Sequence, residues 1–493
     1  MKPWPRYPVI YEVNTWAWLS DLSREHRRAV DLATVPEAAW EVIAARGFGA
    51  VWLMGVWERS PAGIEISLCN AGLVRDFERA LPDFVPEDDV GSPYCVRRYV
   101  VDERLGGSQG LAEARRQLRK RGVRLILDFV PNHVAPDHPW VAGHPEYFVQ
   151  GSADDALGDP ASFIEVAGKV FACGRDPYFP AWPDVLQLCA FHPGLRQAVS
   201  ATLADIAERC DGVRCDMAML SMNAIFERTW GGRVGAAPAA DYWPLVIGAT
   251  RGSQPEFKFI AEAYWGLEWE LLQQGFDFCY DKKLYDRMEH GPAESVRQHL
   301  LGALAYQQGM IRFIENHDEP RAAAAFPGEQ GRAAAVALLT LPGARLLHEG
   351  QLEGWRVRLP VFLGRRPAEP VDAEQVAFYE RLLKATRREL FESGEWRLCE
   401  RSGWPDNPSY EHVLAWCWVG DGERALIVIN FGHRPAQARV QVPWDALRGK
   451  SWRLDDELTG VSYDRGGAEL GDSGLYVDLR PWQCHLFQVR VLQ

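Results

Sequence analysis

Eight short apolar segments, most of them followed by a helical pattern, constrain the fold of this chain more than any other feature of its sequence. The clearest is Ala50-Val51-Trp52-Leu53-Met54, a nearly continuous apolar run typical of a strand buried on both faces. The segments are 9–14, 50–54, 123–128, 212–216, 257–262, 276–280, 311–314 and 344–347. Right-handed strand–helix units repeated eight times close into a barrel. The sequence therefore predicts an α/β fold built around a (β/α)8 TIM barrel.

Helical periodicity occupies several of the gaps between these segments. One helix is predicted to begin after Thr34-Val35-Pro36, a second at Ser108 and a third at Pro193, each with apolar residues spaced for one helical face. A further helix, with apolar positions at 376, 379 and 383, follows the last predicted strand. These helices would form the outer layer of the barrel.

Two regions depart from the strand–helix pattern. Between about Val134 and His192 the chain is rich in Pro, Gly, Asp and Trp, and such a long irregular stretch indicates a functional or inserted unit. Near the end of the chain, short strands at 413–418, 425–430 and 475–479 alternate with polar turns, which predicts an antiparallel β-sandwich. We therefore expect the barrel at 1–133 and 193–394, an inserted domain after strand 3 at 134–192, and the C-terminal β-sandwich domain at 395–493.

Composition narrows the choice of partners. The 493 residues carry a formal net charge of −13, which argues against nucleic acid and acidic membrane surfaces as partners. Tryptophan occurs 20 times, and exposed aromatic rings are suited to stacking on neutral ligands such as sugars. A small neutral ligand is therefore compatible with this composition, and the oligomeric state is left open.

The sequence also predicts a cytoplasmic location. The first eight residues lack the apolar core of a signal peptide, and no uninterrupted apolar run is long enough to span a membrane. The ten cysteines are scattered without a CxxC pair, which favours reduced thiols over a disulfide framework.

Side chains capable of chemistry stand at the ends of four predicted strands. The relevant stretches are Asp128-Phe129-Val130-Pro131-Asn132-His133, Gly212-Val213-Arg214-Cys215-Asp216, Glu262 after Phe259-Ile260-Ala261, and Glu315-Asn316-His317-Asp318. Barrel enzymes carry their chemistry at the carboxyl ends of the strands, so these residues should meet at one rim. On a strand, Arg214 and Asp216 point to the same face, where the guanidinium would keep the carboxylate ionised.

Together these four stretches resemble the four ordered sequence regions of the α-amylase family of glycoside hydrolases. Ser92-Pro93-Tyr94 and the downstream run 101–106 also resemble the segment that follows the second strand in that family. The resemblance covers most of the chain. It implies a barrel, an insertion after strand 3 and a C-terminal β-domain, which is the layout predicted above from the residue pattern.

The resemblance implies a retaining α-glycoside hydrolase that acts on α-glucosidic bonds of oligosaccharides or α-glucan through a covalent glycosyl-enzyme intermediate. Asp216 would be the nucleophile. Glu262 would be the acid/base, with a pKa raised by burial and by neighbouring carboxylates. Asp318 would be the third acid, binding sugar hydroxyls and stabilising positive charge in the transition state.

Four further residues are implied to bind the substrate. Arg214 would hold the nucleophile, His133 and His317 would donate to sugar hydroxyls, and Tyr94 would stack on the same sugar ring. The expected partner is a small-molecule carbohydrate.

No redox or organic cofactor is implied, and no metal ligand is assigned. Asn132 matches a position that binds Ca²⁺ in many relatives, but Ca²⁺ requires six to eight oxygen ligands and one does not make a site. Cys95, after the second strand, and Cys189, near the end of the insertion, depart from the family pattern and argue against a calcium site, so Ca²⁺ stays possible but lacks a full ligand set.

Two alternative functions remain at this point. A transglycosidase or a sugar phosphorylase on the same scaffold would share the covalent intermediate and differ in the group that intercepts it. A non-catalytic carbohydrate-binding or partner-binding scaffold is less favoured, since such relatives usually lose catalytic carboxylates and this chain retains all three. The sequence does not indicate the linkage, or whether cleavage is endo or exo.

Overall fold

The computed structural model describes residues 3–445 and 447–492. Its strands, in chain order, are β1 Val9–Asn14, β2 Ala50–Met54, β3 Trp57–Arg59, β4 Val96–Val101, β5 Arg124–Phe129, β6 His133–Val134, β7 Phe163–Val166, β8 Lys169–Gly174, β9 Trp182–Gln187, β10 Gly212–Cys215, β11 Lys258–Ala261, β12 Phe278–Tyr280, β13 Met310–Arg312, β14 Ala344–His348, β15 Glu395–Leu398, β16 Glu400–Ser402, β17 Val413–Gly420, β18 Glu423–Asn430, β19 Ala436–Gln441, β20 Ser451–Asp456, β21 Ser462–Gly466, β22 Leu475–Leu479 and β23 Cys484–Val491.

The α-helices lie mainly between the strands of the first 400 residues. They are α1 Thr15–His26, α2 Glu37–Ala45, α3 Pro61–Cys69, α4 Ala71–Ala80, α5 Gly107–Lys120, α6 Pro139–Gly143, α7 Ala153–Gly158, α8 Pro193–Arg209, α9 Asn223–Trp230, α10 Tyr242–Ser253, α11 Glu268–Gln273, α12 Lys282–His290, α13 Ala293–Leu300, α14 Leu304–Gln308, α15 Ala322–Ala325, α16 Glu329–Thr340, α17 Ala373–Thr386 and α18 Glu389–Ser393. Within the described residues, none of these helices combines the length and the apolarity that crossing a bilayer requires.

Eight strands close into a parallel barrel, in the neighbour order β1-β14-β13-β12-β11-β10-β5-β2. The predicted TIM barrel is therefore confirmed. Its strands are short and almost wholly buried; every residue of β2 and β5, for example, is buried between the barrel interior and the outer helices. Helices α2, α5 and α8 begin within two residues of the predicted starts.

The register of the central strands sets the height at which functional side chains emerge. Arg214 on β10 pairs with Asp128 on β5 and with Ile260 on β11. Asp216 follows Arg214 by two residues, and Glu262 follows Ile260 by two residues. Both carboxylates therefore leave the sheet at the same rim. Parallel pairing thus brings residues 46 positions apart in sequence to one edge.

The seventh barrel strand ends earlier than the sequence pattern predicts. The apolar run 311–314 predicts a strand to residue 314, whereas β13 ends at Arg312. Beyond the strand, the side chain of Asn316 accepts hydrogen bonds from the backbone N–H groups of Asp318 and Glu319, each at 2.9 Å. This local turn draws the chain out of the sheet and presents Asp318 at the rim.

Besides the small antiparallel β3-β4 sheet, two larger antiparallel units accompany the barrel. After β5, a four-stranded sheet in the order β6-β9-β8-β7 occupies the region predicted to be inserted. At the C-terminal end, one sheet in the order β15-β17-β18-β23-β20-β21 packs on another in the order β16-β19-β22, with a shared apolar core. The predicted C-terminal sandwich is confirmed, while the domain boundaries at 133/134, 192/193 and 394/395 stay predictions.

Two tryptophans join the sandwich to the barrel. The indole N–H of Trp418 donates to the backbone carbonyl of Thr340 at 2.7 Å, and that of Trp416 donates to the Thr340 hydroxyl at 3.2 Å. All three residues are buried, so the Thr340 carbonyl would lack a partner if the Trp418 donor were removed.

We therefore expect Trp418→Phe to destabilise the protein by about 1–3 kcal/mol, the usual effect of leaving a buried acceptor unsatisfied. The measurement is the midpoint of urea denaturation followed by circular dichroism. Trp404→Phe is the matched control, because the half-buried Trp404 ring packs against Tyr476 in the sandwich. Equal midpoints for the two variants would show that the Thr340 contact contributes little.

Candidate active site

One buried guanidinium connects three carboxylates at the rim of the barrel. Arg214 is 1% exposed, and its Nη1 donates to Asp216 Oδ1 at 2.6 Å. Its Nη2 lies 2.8 Å from Glu262 Oε2 and 4.0 Å from Asp318 Oδ2. The three acids predicted from separate parts of the sequence therefore surround a single cation.

The three carboxylates have different environments. Asp216 and Glu262 are 5% and 4% exposed, whereas the side chain of Asp318 is 44% exposed. The contact between Arg214 Nη2 and Glu262 lacks hydrogen-bond geometry, in contrast to the direct bond that Asp216 receives. Asp216 therefore has the better partner for a permanent negative charge.

Burial places a proton on Glu262 near neutral pH. Desolvation, opposed by the Arg214 charge, raises the pKa of Glu262 to about 7. Desolvation also raises the pKa of Asp216 from its ordinary value, although the ion pair and hydrogen bond with Arg214 act in the opposite direction. Because Asp216 holds the hydrogen bond to the guanidinium, we assign the shared proton to Glu262. The expected raised pKa of Glu262 agrees with this geometry.

Two donors also hold the carboxyl group of Glu262 in position. The backbone N–H of Met217 donates to Oε2 at 2.6 Å, and the hydroxyl of Tyr264 donates to Oε1 at 2.9 Å. Both donors fix the direction of the acid. Tyr264 was not predicted, although an aromatic residue two positions after the acid is visible in the sequence.

His317 links the third acid to the barrel interior. Its Nε2 lies 2.9 Å from Asp318 Oδ2 and 2.6 Å from the hydroxyl of Tyr94, and its Nδ1 contacts Glu12 Oε1. Burial acts to raise the pKa of Asp318, but the charge of His317 outweighs it and holds that pKa at about 2. Asp318 is therefore ionised throughout the neutral range. Glu12 was not predicted; its signal is a lone carboxylate within the apolar run of β1.

Three of the four predicted substrate-binding residues lie directly at the carboxylates, and the fourth, His133, reaches the backbone of Tyr94. Tyr94, Arg214 and His317 touch one another or the carboxylates, and the Arg214 guanidinium lies 5.0 Å from the centre of the Tyr94 ring. His133 hydrogen-bonds the backbone of Tyr94 and packs against the ring of Trp182 from the inserted sheet, with ring centres 5.2 Å apart. Burial lowers the pKa of His133 to about 3, so this side chain is neutral. Its binding role stays a prediction.

Asp128 supports the rim from inside the barrel. Its carboxylate accepts from the indole N–H of Trp52 at 3.1 Å and from the backbone N–H of Gly55 at 2.8 Å. The residue is fully buried, and burial raises its pKa to about 6. These contacts give Asp128 a supporting role at the rim.

Wide cavities lie elsewhere on the molecule. A cavity of about 610 Å³ lined by Trp4, Arg124 and Phe257 lies by the N-terminal ends of the strands, and one of about 410 Å³ lies between α16 and α17. Neither is lined by the carboxylates around Arg214. Cavity size is therefore a poor guide to the chemistry here, and the cluster of charged groups locates the site.

Similarity to known proteins agrees with the geometry. The chain is 26% identical over 372 residues to the α-amylase MalA of Haloarcula japonica, a match that covers 73% of this chain and 49% of that protein. It is 29% identical over 170 residues to the α-1,4-glucan:maltose-1-phosphate maltosyltransferase of Salinibacter ruber, covering 31% of this chain and 23% of that protein. The chain thus spans about half the length of the first relative and less of the second. No protein-family model matches it.

The fold is also that of a solved amylase. The maltogenic α-amylase AmyB from Thermotoga neapolitana superposes with a TM-score of 0.70 over 99% of both chains, at 19% sequence identity. The barrel, the four sequence regions and the curated relative all indicate similarity to α-amylase-family enzymes.

The position that the family resemblance associates with Ca²⁺ is occupied by a pair of side-chain amides. The Asn132 side-chain oxygen accepts from Gln187 Nε2 at 2.9 Å, and the Asn132 amide lies 3.3 Å from Gln187 Oε1. Among residues 3–445 and 447–492, no group of three or more His, Cys, Asp or Glu side chains is arranged to hold an ion. The two amides hydrogen-bond each other, which gives this position a structural role.

Two partly exposed aromatic side chains lie near the acid/base candidate. Trp265 follows Glu262 by three residues, and its ring meets that of Tyr178 from the inserted region edge to face, with centres 4.8 Å apart. They are 36% and 56% exposed, and Arg228 lies over the Tyr178 ring. The backbone of Trp265 has φ +63°, an unusual conformation for a bulky residue that is associated with functional sites. This pair offers apolar surface on the Glu262 side of the rim.

We expect Arg214→Met to destabilise the protein by about 3–5 kcal/mol, because it leaves buried carboxylates without their cation. The loss should depend on pH. Without the guanidinium the folded pKa values of Asp216 and Glu262 rise further above their unfolded values, so stability that is present at low pH is lost as the pH rises.

The measurement is the melting temperature of the variant and the parent between pH 5 and pH 8. The deficit of Arg214→Met should widen as the pH rises. Arg358→Met is the control, since the exposed Arg358 donates to the backbone carbonyl of Asp318 at 2.8 Å and not to the carboxyl group of Asp216 or Glu262. A deficit equal at both ends of the range would contradict the electrostatic role of Arg214.

Proposed function

We propose that this protein is a retaining α-glycoside hydrolase acting on α-glucosidic bonds of oligosaccharides or α-glucan. The observation that carries the proposal is the sharing of one buried guanidinium by Asp216 and Glu262. Contact with adjacent nitrogens of one planar group keeps the two carboxyl groups close together. Retaining glycosidases require such proximity, about 5–5.5 Å, whereas inverting enzymes separate the two groups to admit a water.

The proposed reaction divides the work between the two acids. Asp216 attacks the anomeric carbon, while Glu262 gives its proton to the departing oxygen and the glycosidic bond breaks. Glu262, now ionised, takes a proton from water, whose oxygen attacks the same carbon and releases Asp216. A pKa of about 7 suits Glu262 to both steps near neutral pH.

Positive charge that develops on the sugar ring would face the ionised groups at the rim. Asp318 is held ionised by His317 and is the most exposed of the three acids. It can therefore accept from sugar hydroxyls and stabilise an oxocarbenium-like transition state. Tyr94 and His317, which contact each other, would bind the same sugar. No cofactor takes part in these steps, and the absence of a metal requirement is part of the proposal.

The division of roles predicts how Glu262→Gln responds to the leaving group. Cleavage of maltooligosaccharides, whose leaving oxygen needs a proton, should fall by about 10²–10⁴-fold. Hydrolysis of an α-glucosyl fluoride should fall much less in its first step, since fluoride leaves without a proton. Added azide should then intercept the intermediate and give an α-glucosyl azide, identified by NMR.

Glu319→Gln is the matched control for this experiment. Glu319 stands next to Asp318 and pairs with Lys282 at 3.2 Å, so the variant changes a rim carboxylate that has no proposed part in the reaction. Equal losses on both substrates in Glu262→Gln, or a β-configured azide, would overturn the proposed mechanism.

A second candidate, transglycosylation, is favoured by the exposed rings of Tyr178 and Trp265. Flat apolar rings beside the acid would hold an acceptor sugar by stacking, so that its hydroxyl replaces water in the second step. The relative from Salinibacter ruber is itself named as a maltosyltransferase. The same intermediate serves both outcomes.

If acceptor sugars bind these rings, Trp265→Ala should lower the ratio of longer oligosaccharides to glucose and maltose by several-fold. Its effect on hydrolysis of a glucosyl fluoride should be small. Product profiles from maltotriose give the ratio, and Trp269→Ala is the control because Trp269 is similarly exposed, at 43%, but lines a cavity by the N-terminal ends of the strands. If the parent enzyme forms no oligosaccharide longer than its substrate, hydrolysis stays the proposed function.

A further inference from the structure

Glu12 is a buried acid that no step of the proposed reaction uses directly. It lies in β1, paired in register with His348 on β14 and with Trp52 on β2, and it is 0% exposed. Its Oε1 contacts His317 Nδ1, and within residues 3–445 and 447–492 its Oε2 has no hydrogen-bond partner. The charge of Glu12 is thus directed at His317.

The contacts of His317 require a proton on each ring nitrogen. Nδ1 faces the Glu12 carboxylate, and Nε2 faces the Asp318 carboxylate at 2.9 Å. A neutral imidazole carries one N–H, so one nitrogen would then direct a lone pair at a carboxylate oxygen. With both carboxyl groups ionised, the imidazolium is the form that satisfies both contacts.

Charged and titratable groups of both signs surround Glu12 and His317. The groups that face Glu12 or His317 from neighbouring elements are Tyr94, Asp128, Arg214, Tyr280, His348 and Asp318. Burial acts to lower the pKa of His317, but Asp318 and Glu12 outweigh it and raise the pKa to about 10. Burial lowers the pKa of His348 well below its ordinary value, so this nearby imidazole is neutral and does not compete for the proton.

We propose that Glu12 is a positioning residue that keeps His317 a cationic double donor at the substrate rim. The proposal rests on the proposed function for its catalytic consequence only. Glu12 balances the imidazolium from inside the barrel, and the outer N–H then donates towards Asp318 and towards a sugar hydroxyl. Tyr94, 2.6 Å from Nε2, is held in the same arrangement.

The Glu12→Gln variant removes the charge of the side chain and nearly keeps its shape. The amide has nearly the same volume and can still accept from Nδ1, but it no longer balances a positive ring. The pKa of His317 should fall, because one of the two carboxylates that raise it loses its charge, and above the lowered pKa the remaining proton should stay on Nδ1. Nε2 would then accept from Tyr94 and lose its donor contact to Asp318.

The direct test is the protonation state of His317, measured by imidazole ¹⁵N chemical shifts in the full-length protein, with His317→Gln used to assign the signal. In the parent, both nitrogens should show imidazolium shifts from pH 6 to pH 8.5. In Glu12→Gln the signal should titrate within that range. Asp456→Asn, which alters the buried His485–Asp456 pair of the sandwich, should leave the His317 signal unchanged.

Kinetics supply the second test. Glu12→Gln should lower kcat/KM by about 10–100-fold at pH 8, the range typical of partners that orient a functional histidine. The deficit should shrink towards pH 5.5, where His317 regains its second proton. A purely structural role would give a deficit independent of pH.

The outcomes separate this inference from the proposed function. A neutral His317 in the parent at pH 7, or a Glu12→Gln variant in which His317 stays fully protonated at pH 8.5, would overturn the role of Glu12 whatever the substrate. Imidazolium shifts in the parent together with no glycosidase activity would leave the protonation claim standing and remove the proposed function.

Discussion

The structure of the site depends on one buried cation. Arg214 lies inside the barrel with almost no solvent contact, and its guanidinium is within 4.0 Å of three carboxylates that come from three different strand ends. It also lies 5.0–5.7 Å from the ring centres of Tyr94, Trp52 and Tyr280. Without that charge, several acids could not be buried together in ionised form, because like charges at short range raise one another's pKa values.

The barrel supplies the precision that this arrangement needs. Parallel pairing sets β5, β10 and β11 level, so the residues that follow them reach a common rim without long loops. Only Asp318 depends on a turn, which the side chain of Asn316 forms locally. The result is one acid that is protonated near neutrality and one that is ionised, with the difference set by which of them holds the hydrogen bond to Arg214.

Much of this arrangement can be predicted from residues alone. The apolar strands identify the barrel because a strand covered on both faces has few polar positions. The charged residues that follow these strands are conspicuous because they interrupt that apolar pattern. Asp216, Glu262 and Asp318 follow from that contrast, and the α-amylase-family resemblance gives them roles. The structure adds the shared contact with Arg214, which no sequence spacing encodes.

Other features could not be predicted because they depend on side-chain geometry between distant segments. Glu12 and His317 are 305 residues apart, and the donation from Tyr264 to Glu262 depends on the direction of a loop. The end of β13 was misplaced because Phe313 and Ile314 continue the apolar pattern after the pairing has stopped. Tyr178 and Trp265 meet only because the inserted region folds back over the rim.

The central claim is that Asp216 forms a bond to a glycosyl carbon while Glu262 stands beside it. Incubation with 5-fluoro-α-D-glucosyl fluoride, which slows the second step of retaining enzymes, followed by proteolysis and mass spectrometry, tests it directly. We predict a single added fluoroglucosyl group on the peptide that contains Asp216, and none in Asp216→Asn. An adduct on another carboxylate, or turnover of the reagent with inversion and no adduct, would contradict the account.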